Sequence, residues 1–263
     1  MTRVMGVVNV TPDSFSDGGR WLDTEAAISH ARALIDEDAD LIDIGGESSR
    51  PGSLPVDEAT ELARTIPVIE ALAGSIGDVE ISIDTTKPAV ARAAVAAGAT
   101  IINDISASLE NVAAETGAGW IAMHTLGPSK TMQVDPRYDD VVEEVAAFLA
   151  AAVERGKRAG VSRIWVDPGI GFGKTTAHNL DLVANLDRFS EIAPVLIGVS
   201  RKRFVGEIHA KSDGIPRETP VTDVEDRLEG SLAIAAWSTH LGAHIVRVHD
   251  VRATVHAVRV VQS

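Results

Sequence analysis

Polar side chains recur in this chain wherever a short apolar run stops. They are Asn9, Asp43 with Glu47, Asp84, Asn103, His124, Asp167, Ser200 followed by Arg201 and Lys202, and Arg247 with His249. Carboxylates and carboxamides of this kind can pair with the N–H groups of a heterocycle, and the cations can pair with the oxygens of an anionic ligand. Asp167 directly follows Ile164-Trp165-Val166, and a carboxylate there is costly to bury unless something donates to it. Arg201-Lys202-Arg203 is compatible with a solvated helix start, the common fate of a charge run. On a chain of net charge −14, though, a cationic cluster at a strand end suits an anionic ligand. For any one of these residues, ending a strand or capping a helix competes with catalysis on equal terms. Eight such positions together favour a site.

Two tempting motifs fail on spacing. The string Asp167-Pro168-Gly169-Ile170-Gly171-Phe172-Gly173-Lys174-Thr175 ends like a nucleotide P-loop, but that loop needs glycine five positions before Gly173, where Pro168 stands. It also lacks the Gly-x-Gly-x-x-Gly spacing of a dinucleotide site, so the glycines read equally well as a tight turn after a strand. No His-x-x-x-His pair occurs, which leaves little support for a zinc site built from adjacent ligands. Scattered histidines such as His30, His240 and His256 read as surface or helix-packing residues.

The elements that must position the polar set are legible from periodicity. Apolar runs rich in Val and Ile occupy Val4–Val10, Leu41–Gly45, Ile81–Asp84, Ile101–Asp104, Trp120–His124, Ile164–Asp167, Val195–Ser200 and Ile245–Asp250. Their near-continuous hydrophobicity predicts strands buried on both faces. Segments of helical spacing lie between most of them, for example Ala27, Ile28, Ala31, Leu34 and Ile35, or Val141, Val145, Phe148, Leu149 and Ala152. Pro88 suits a first helical turn, Gly98 and Gly160 suit helix ends, and Asp57 or Asp139 suits a helix start. Eight strands alternating with helices can form an open doubly wound sheet or a closed barrel, and the count favours a single-domain α/β (β/α)8 TIM barrel over residues 1–263. In a barrel the polar residues at eight strand ends would converge on one mouth.

Length and composition agree. At 263 residues the chain suits one large α/β domain. Thirty-eight acidic against 24 basic side chains disfavour nonspecific nucleic-acid binding, and the absence of cysteine excludes disulfides, thiolate metal sites and thiol catalysis. The first ten residues do not read as a secretory signal peptide, and no apolar stretch approaches the roughly 18 residues of a membrane helix. A soluble cytoplasmic protein with no membrane partner is expected.

The strings are also recognisable as a set. NVTPDSFSDGG from Asn9, GGESSRPG from Gly45, SIDT from Ser82, IND from Ile102, DPGIGFGK from Asp167, SRK from Ser200 and RVHD from Arg247 together resemble dihydropteroate synthase, in order and over nearly the whole chain. The resemblance implies a cytoplasmic, homodimeric folate-pathway enzyme. Such an enzyme joins p-aminobenzoate to 6-hydroxymethyl-7,8-dihydropterin diphosphate and releases pyrophosphate with Mg²⁺. It implies a pterin pocket of Asp84, Asn103 and Asp167, lined by Ile105, Met123, Phe172 and Gly198 with Lys202 reaching in. Diphosphate and metal contacts fall to Asn9, Arg247 and His249. Aminobenzoate contacts fall to Ser49, Arg50, Pro51, Ser200 and Lys202, closed by loops carrying Phe15 and Asp17. The catalytic set is Asp84, Lys202, Arg247, His249, Phe15 and Asp17. The chain departs from the family pattern at Gly127-Pro128, where proline directly follows glycine, which predicts an altered loop after the fifth strand.

Two alternatives stay open. A barrel transferring a methyl group from a reduced folate to a corrinoid partner looks similar around the pterin carboxylates, but it would not need the Phe15 loop, Ser49-Arg50-Pro51 or the Lys202 and Arg247-x-His249 cations. A noncatalytic pterin-binding paralogue would keep all of them.

Overall fold

The computed structural model describes residues 1–11, 20–48, 53–127, 131–214 and 224–263. Phe15, Asp17, Ser49, Arg50, Pro51 and Pro128 lie outside the described residues. Eight strands form one parallel sheet: β1 (Arg3–Asn9), β2 (Leu41–Gly45), β3 (Glu80–Asp84), β4 (Ile101–Asp104), β5 (Gly119–Met123), β6 (Ile164–Asp167), β7 (Leu196–Gly198) and β8 (Ile245–Val248). Their order, β6-β5-β4-β3-β2-β1-β8-β7, leaves β6 and β7 at the two ends. Those ends meet through a parallel bridge between Val166 and Val195 and a bond from the Val166 N–H to the Pro194 carbonyl at 3.1 Å, which closes the sheet into the expected barrel.

The two faces of each strand feed two different cores. Met5, Leu41, Ile101, Ile121, Trp165, Leu196 and Ile245 pack together inside the barrel, while Val4, Val8, Ile42, Ile44, Ile83, Ile102, Val166, Ile197 and Val246 belong to the larger core beneath the helices. Side chains alternate along a strand, so residues two apart share a face. The inward set therefore runs upward to Asn9 on β1, Asp84 on β3, Asn103 on β4, Met123 on β5, Asp167 on β6 and Arg247 on β8. Register confirms the alignment: Asn9 pairs with Gly45, Gly45 with Asp84, Asp84 with Asn103, Met123 with Asp167, and Gly198 with Arg247. At the opposite end Glu80 joins Arg3 and Arg163, each at 2.7 Å, and the Trp165 indole donates to His244 Nδ1 at 3.0 Å, so the floor is plugged.

Helices fill the crossovers: α1 (Arg20–Asp36), α2 (Glu58–Leu72), α3 (Pro88–Ala97), α4 (Glu110–Thr116), α5 (Val141–Ala159), α6 (Thr176–Ala184), α7 (Leu186–Ser190), α8 (Arg203–Ser212), α9 (Leu228–His240) and α10 (Val251–Gln262). Helix α5 shows why the sequence folds this way locally. Asp140 accepts from the N–H groups of Val142 and Glu143, Glu143 and Glu144 sit in the first turn, Lys157 and Arg158 in the last, and Gly160 ends the helix in the left-handed region. The cap is Asp140 rather than Asp139, whose N–H is instead taken by Glu144 at 2.7 Å. Asp57, Pro88 and Gly98 occupy the helix termini expected of them. His124, Ser200 and His249 fall just beyond β5, β7 and β8, because the ladder ends where each chain bends outward at the mouth. Among the described residues no helix is long and apolar enough to cross a membrane.

Candidate active site

One buried carboxylate organises the mouth. Asp43, fully buried two residues before the end of β2, accepts from Arg247 Nε at 2.6 Å and from the Asn103 amide at 2.9 Å, both on Oδ2. A terminal nitrogen of Arg247 donates to Asp84 Oδ2 at 3.0 Å. The guanidinium thus bridges two carboxylates and keeps further N–H donors for a ligand. Burial raises the Asp84 pKa to about 7, against the opposing pull of Arg247 and with help from the nearby Asp43 charge. Asp84 retains 12% of its side chain exposed, towards a cavity of about 100 Å³ lined by Glu47, Ser48, Glu61, Thr85, Thr86 and Ile105. Asp43 is the functional residue that sequence reasoning places at a strand end without a task. The signal was there: it precedes Gly45 by two, hence faces inward with the rest.

Asp167 is the second anchor. Its Oδ1 accepts from the Gly169 N–H at 2.7 Å, which answers the cost of burying it; burial still raises its pKa, while that bond, Lys202, Lys174 and Arg247 pull it down. Across β5 its neighbour is Met123, buried and in register. The Lys202 ammonium stands over the Phe172 ring, 4.2 Å from the centroid, a cation–π contact that places both at the same wall.

The cationic triplet separates in space. Arg201 takes a left-handed backbone conformation, φ 58°, held by its N–H on Ser231 and by Arg227 on its carbonyl, and its side chain forms a fork with Asp250 at 2.7 and 3.0 Å. Arg203 pairs with Glu207 on the surface of α8. The expectation of a three-residue anion cluster is therefore corrected to Lys202 alone, because successive residues at a bend cannot share a direction. Ser200 accepts from the His249 N–H and lies 3.2 Å from its Nδ1; burial, then Arg247 and Arg201, lower the His249 pKa to about 3, so this imidazole is neutral near pH 7.

Asn9 closes the ring on β1. A Cβ added to Gly45 would stand 3.5 Å from Asp84 Cβ and 3.9 Å from Asn9 Oδ1, so glycine leaves room between the amide and the carboxylate. Ile105 borders the Asp84 cavity, and Gly198 lies beside Arg247. The structure thus brings together Asn9, Asp84, Asn103, Ile105, Met123, Asp167, Phe172, Gly198, Ser200, Lys202, Arg247 and His249 at one barrel end. A larger surface cleft, about 390 Å³ along Tyr138–Val142 and His178, contains none of them. Asp104, next to Asn103, points the other way: it accepts from the N–H groups of Ser106, Ser108 and Leu109 and from the Trp120 indole, a wholly structural post.

Comparison with known proteins agrees with this geometry. The pterin binding enzyme family profile matches residues 5–249. A dihydropteroate synthase of Escherichia coli (strain K12) is 45% identical over 268 residues, covering 99% of this chain and 91% of that protein. Two solved structures of Xanthomonas albilineans dihydropteroate synthase superpose over 99% of this chain and 92% of theirs. One, with 4-aminobenzoic acid, has TM-score 0.88 and 46% identity; the other, in complex with 7,8-dihydropteroate, has TM-score 0.85 and 44% identity.

Proposed function

The chain belongs to the pterin-binding enzymes and, among them, to the dihydropteroate synthases, and from that premise we propose how its barrel mouth joins 6-hydroxymethyl-7,8-dihydropterin diphosphate to p-aminobenzoate. The observation that carries this reading is the convergence of Asp84, Asn103 and Asp167 with the cations Arg247 and Lys202 on one rim. A pterin offers adjacent amino and ring N–H donors beside acceptors. Asp167 accepts two of those donors, and Asn103, whose amide N–H already goes to Asp43, presents its carbonyl oxygen. Phe172, Met123, Ile105 and Gly198 frame the ring.

The exocyclic carbon–oxygen bond of the substrate breaks with its electron pair leaving on the diphosphate, and the aminobenzoate nitrogen then forms the carbon–nitrogen bond and releases a proton to solvent or pyrophosphate. Positive charge on the pterin is offset by Asp84, held in place by Arg247. Negative charge on the leaving group is met by the remaining Arg247 donors and by His249. Preorganised charge of this kind lowers the barrier because nothing must reorient as the bond breaks. Ser200 and Lys202, with Ser49, Arg50 and Pro51, take the aminobenzoate. The family resemblance gives Phe15 and Asp17 the task of excluding water from the reacting carbon.

Mg²⁺ suits this donor set. It is a hard cation that takes few protein oxygens and keeps substrate phosphate oxygens and water. Among the described residues no three His, Asp or Glu gather to hold a metal ion, whereas Asn9 offers one amide oxygen at the rim. Bound there, the ion would supply charge stabilisation for the departing diphosphate. We also propose that the enzyme works as a cytoplasmic homodimer, as its family resemblance implies.

The test is turnover. Purified protein with Mg²⁺ and both substrates should release pyrophosphate and form dihydropteroate in equal amounts, and chelation of Mg²⁺ should stop it. Pterin binding without product, where a known synthase turns over, would establish a noncatalytic paralogue. Failure to bind pterin at all would mean a scaffold without the function.

A further inference from the structure

Lys174 has no part in the chemistry just described, yet it is among the most buried charged groups of the barrel, with 4% exposure. Its Nζ lies 3.0 Å from each of three atoms: the Gly169 carbonyl oxygen, the Phe172 carbonyl oxygen and His124 Nδ1. The two carbonyls can only accept, and burial lowers the His124 pKa to about 3, so this ring is neutral. With Lys174 as an ammonium, the three acceptors use all three of its N–H bonds and His124 carries its proton on Nε2. An uncharged amine would satisfy the same three atoms with the opposite tautomer, its lone pair accepting from His124 Nδ1–H; burial lowers the Lys174 pKa to about 7, so the ammonium form prevails below that pH.

The atoms so gathered are the two ends of the Gly169–Phe172 turn and the strand next to it. That turn does two things for the pterin: its first N–H fixes the Asp167 carboxylate, and its last side chain carries Lys202 on its ring. The rest of the turn is pinned too, with Gly171 N–H on Asn179, Gly171 carbonyl taken by Gln133 and Gly173 carbonyl by Tyr138. The Phe172 N–H already closes the turn on the Gly169 carbonyl at 3.1 Å, and Lys174 adds a side-chain tie that joins both ends of that turn to His124 on the neighbouring strand's end. As an ammonium, below a pH of about 7, it also brings a positive charge near Asp167 and favours the ionised carboxylate that two pterin donors need.

We propose that Lys174, clamped by His124, is a positioning residue for pterin recognition that sets both the geometry of the Asp167–Phe172 turn and the charge state of Asp167. The inference rests on the dihydropteroate synthase reading of the site. It predicts an effect weighted to one substrate. Of the aminobenzoate contacts only Lys202 touches this turn, through the Phe172 ring, so the aminobenzoate KM should change less than pterin affinity.

The experiment measures calorimetric Kd for 6-hydroxymethyl-7,8-dihydropterin in the full chain. Lys174→Met should raise it about tenfold or more, the loss expected for one charge-assisted interaction, and should move the acid limb of its pH dependence upward, since Asp167 loses a neighbouring cation. The other charges facing Asp167, Lys202 and Arg247, remain in the variant. Because Lys174→Met can also compromise folding, His124 supplies a second arm. In His124→Asn an amide oxygen takes the place of Nδ1 and pterin affinity should hold, whereas in His124→Leu the acceptor is gone and affinity should fall. A folded Lys174→Met with Kd within about threefold of the parent and an unmoved acid limb overturns the proposal; so do equal affinities for the two His124 variants. Wild-type protein that binds pterin but makes no dihydropteroate would sink the catalytic reading and leave this test intact.

Discussion

Arg247 Nε meets Asp43 Oδ2 at 2.6 Å, joining the last strand of the barrel to the second across the mouth. The pair is a keystone, since the same Asp43 oxygen accepts from Asn103 and the same guanidinium donates to Asp84. Asp43→Ala removes the fully buried partner and leaves a largely buried guanidinium with one carboxylate fewer. Breaking a buried pair this way costs roughly 3–5 kcal/mol, so urea unfolding should show a loss in that range and Asp43→Asn a smaller one. A loss under about 1 kcal/mol for Asp43→Ala would show that the contact does not hold the rim.

Asp167→Asn should leave the barrel folded and weaken dihydropterin diphosphate binding by roughly 1.5–3 kcal/mol, the worth of a hydrogen bond to a charged group. Calorimetry reads it directly. Unchanged affinity would remove Asp167 from the pocket and with it the orientation of the pterin given above.

Phe15→Ala and Asp17→Ala should spare free-pterin binding and depress kcat, because both residues are assigned to a loop that acts once the carbon–oxygen bond is breaking. Equal losses in pterin Kd and in turnover would place the loop in the ground-state pocket.

The Asp84 pKa, raised to about 7, carries a sign for stability. A carboxyl that binds its proton more tightly when folded stabilises the fold at low pH. Its contribution is fully present below the unfolded value near 4 and is lost as pH rises through about 7. Relative to Asp84→Asn, which cannot titrate, the parent's urea midpoint should decline between pH 4 and 7 and level off above. A difference flat across that window would contradict the burial argument.

Gly169 tests the turn itself. It sits at φ 69°, and an added Cβ would overlap the His124 carbonyl oxygen. Gly117 has a similar φ of 72° with open space around it. Gly117→Ala should therefore cost about 1 kcal/mol from backbone strain alone, whereas Gly169→Ala must displace the backbone next to Asp167 and should abolish pterin binding in a calorimetric titration. Comparable behaviour of the two variants would mean that close approach to His124 is not what requires glycine there.

Much of this molecule was legible before any fold was known. Eight Val- and Ile-rich runs separated by helical spacing dictate a parallel α/β architecture, since strands so uniformly apolar must be covered on both faces, and the polar residues at their ends mark where a mouth would form. Ordered strings from Asn9 to Arg247 carried the family, and Pro168 was enough to reject a nucleotide loop. What one dimension could not decide was direction. Asn103 and Asp104 are neighbours of similar chemistry, but the pleat sends the first into the mouth and the second beneath a helix. Arg201 and Lys202 form one charge run in the chain and serve opposite sides of a bend. Lys174, which imitates a phosphate-binding lysine in sequence, turns inward to three protein acceptors, and Asp43 becomes a hub because strands β2, β4 and β8 face one another across a closed barrel. Such pairings span up to 204 positions of sequence, and the strand order, which sets β8 beside β1 and β1 beside β2, brings their partners within bonding distance.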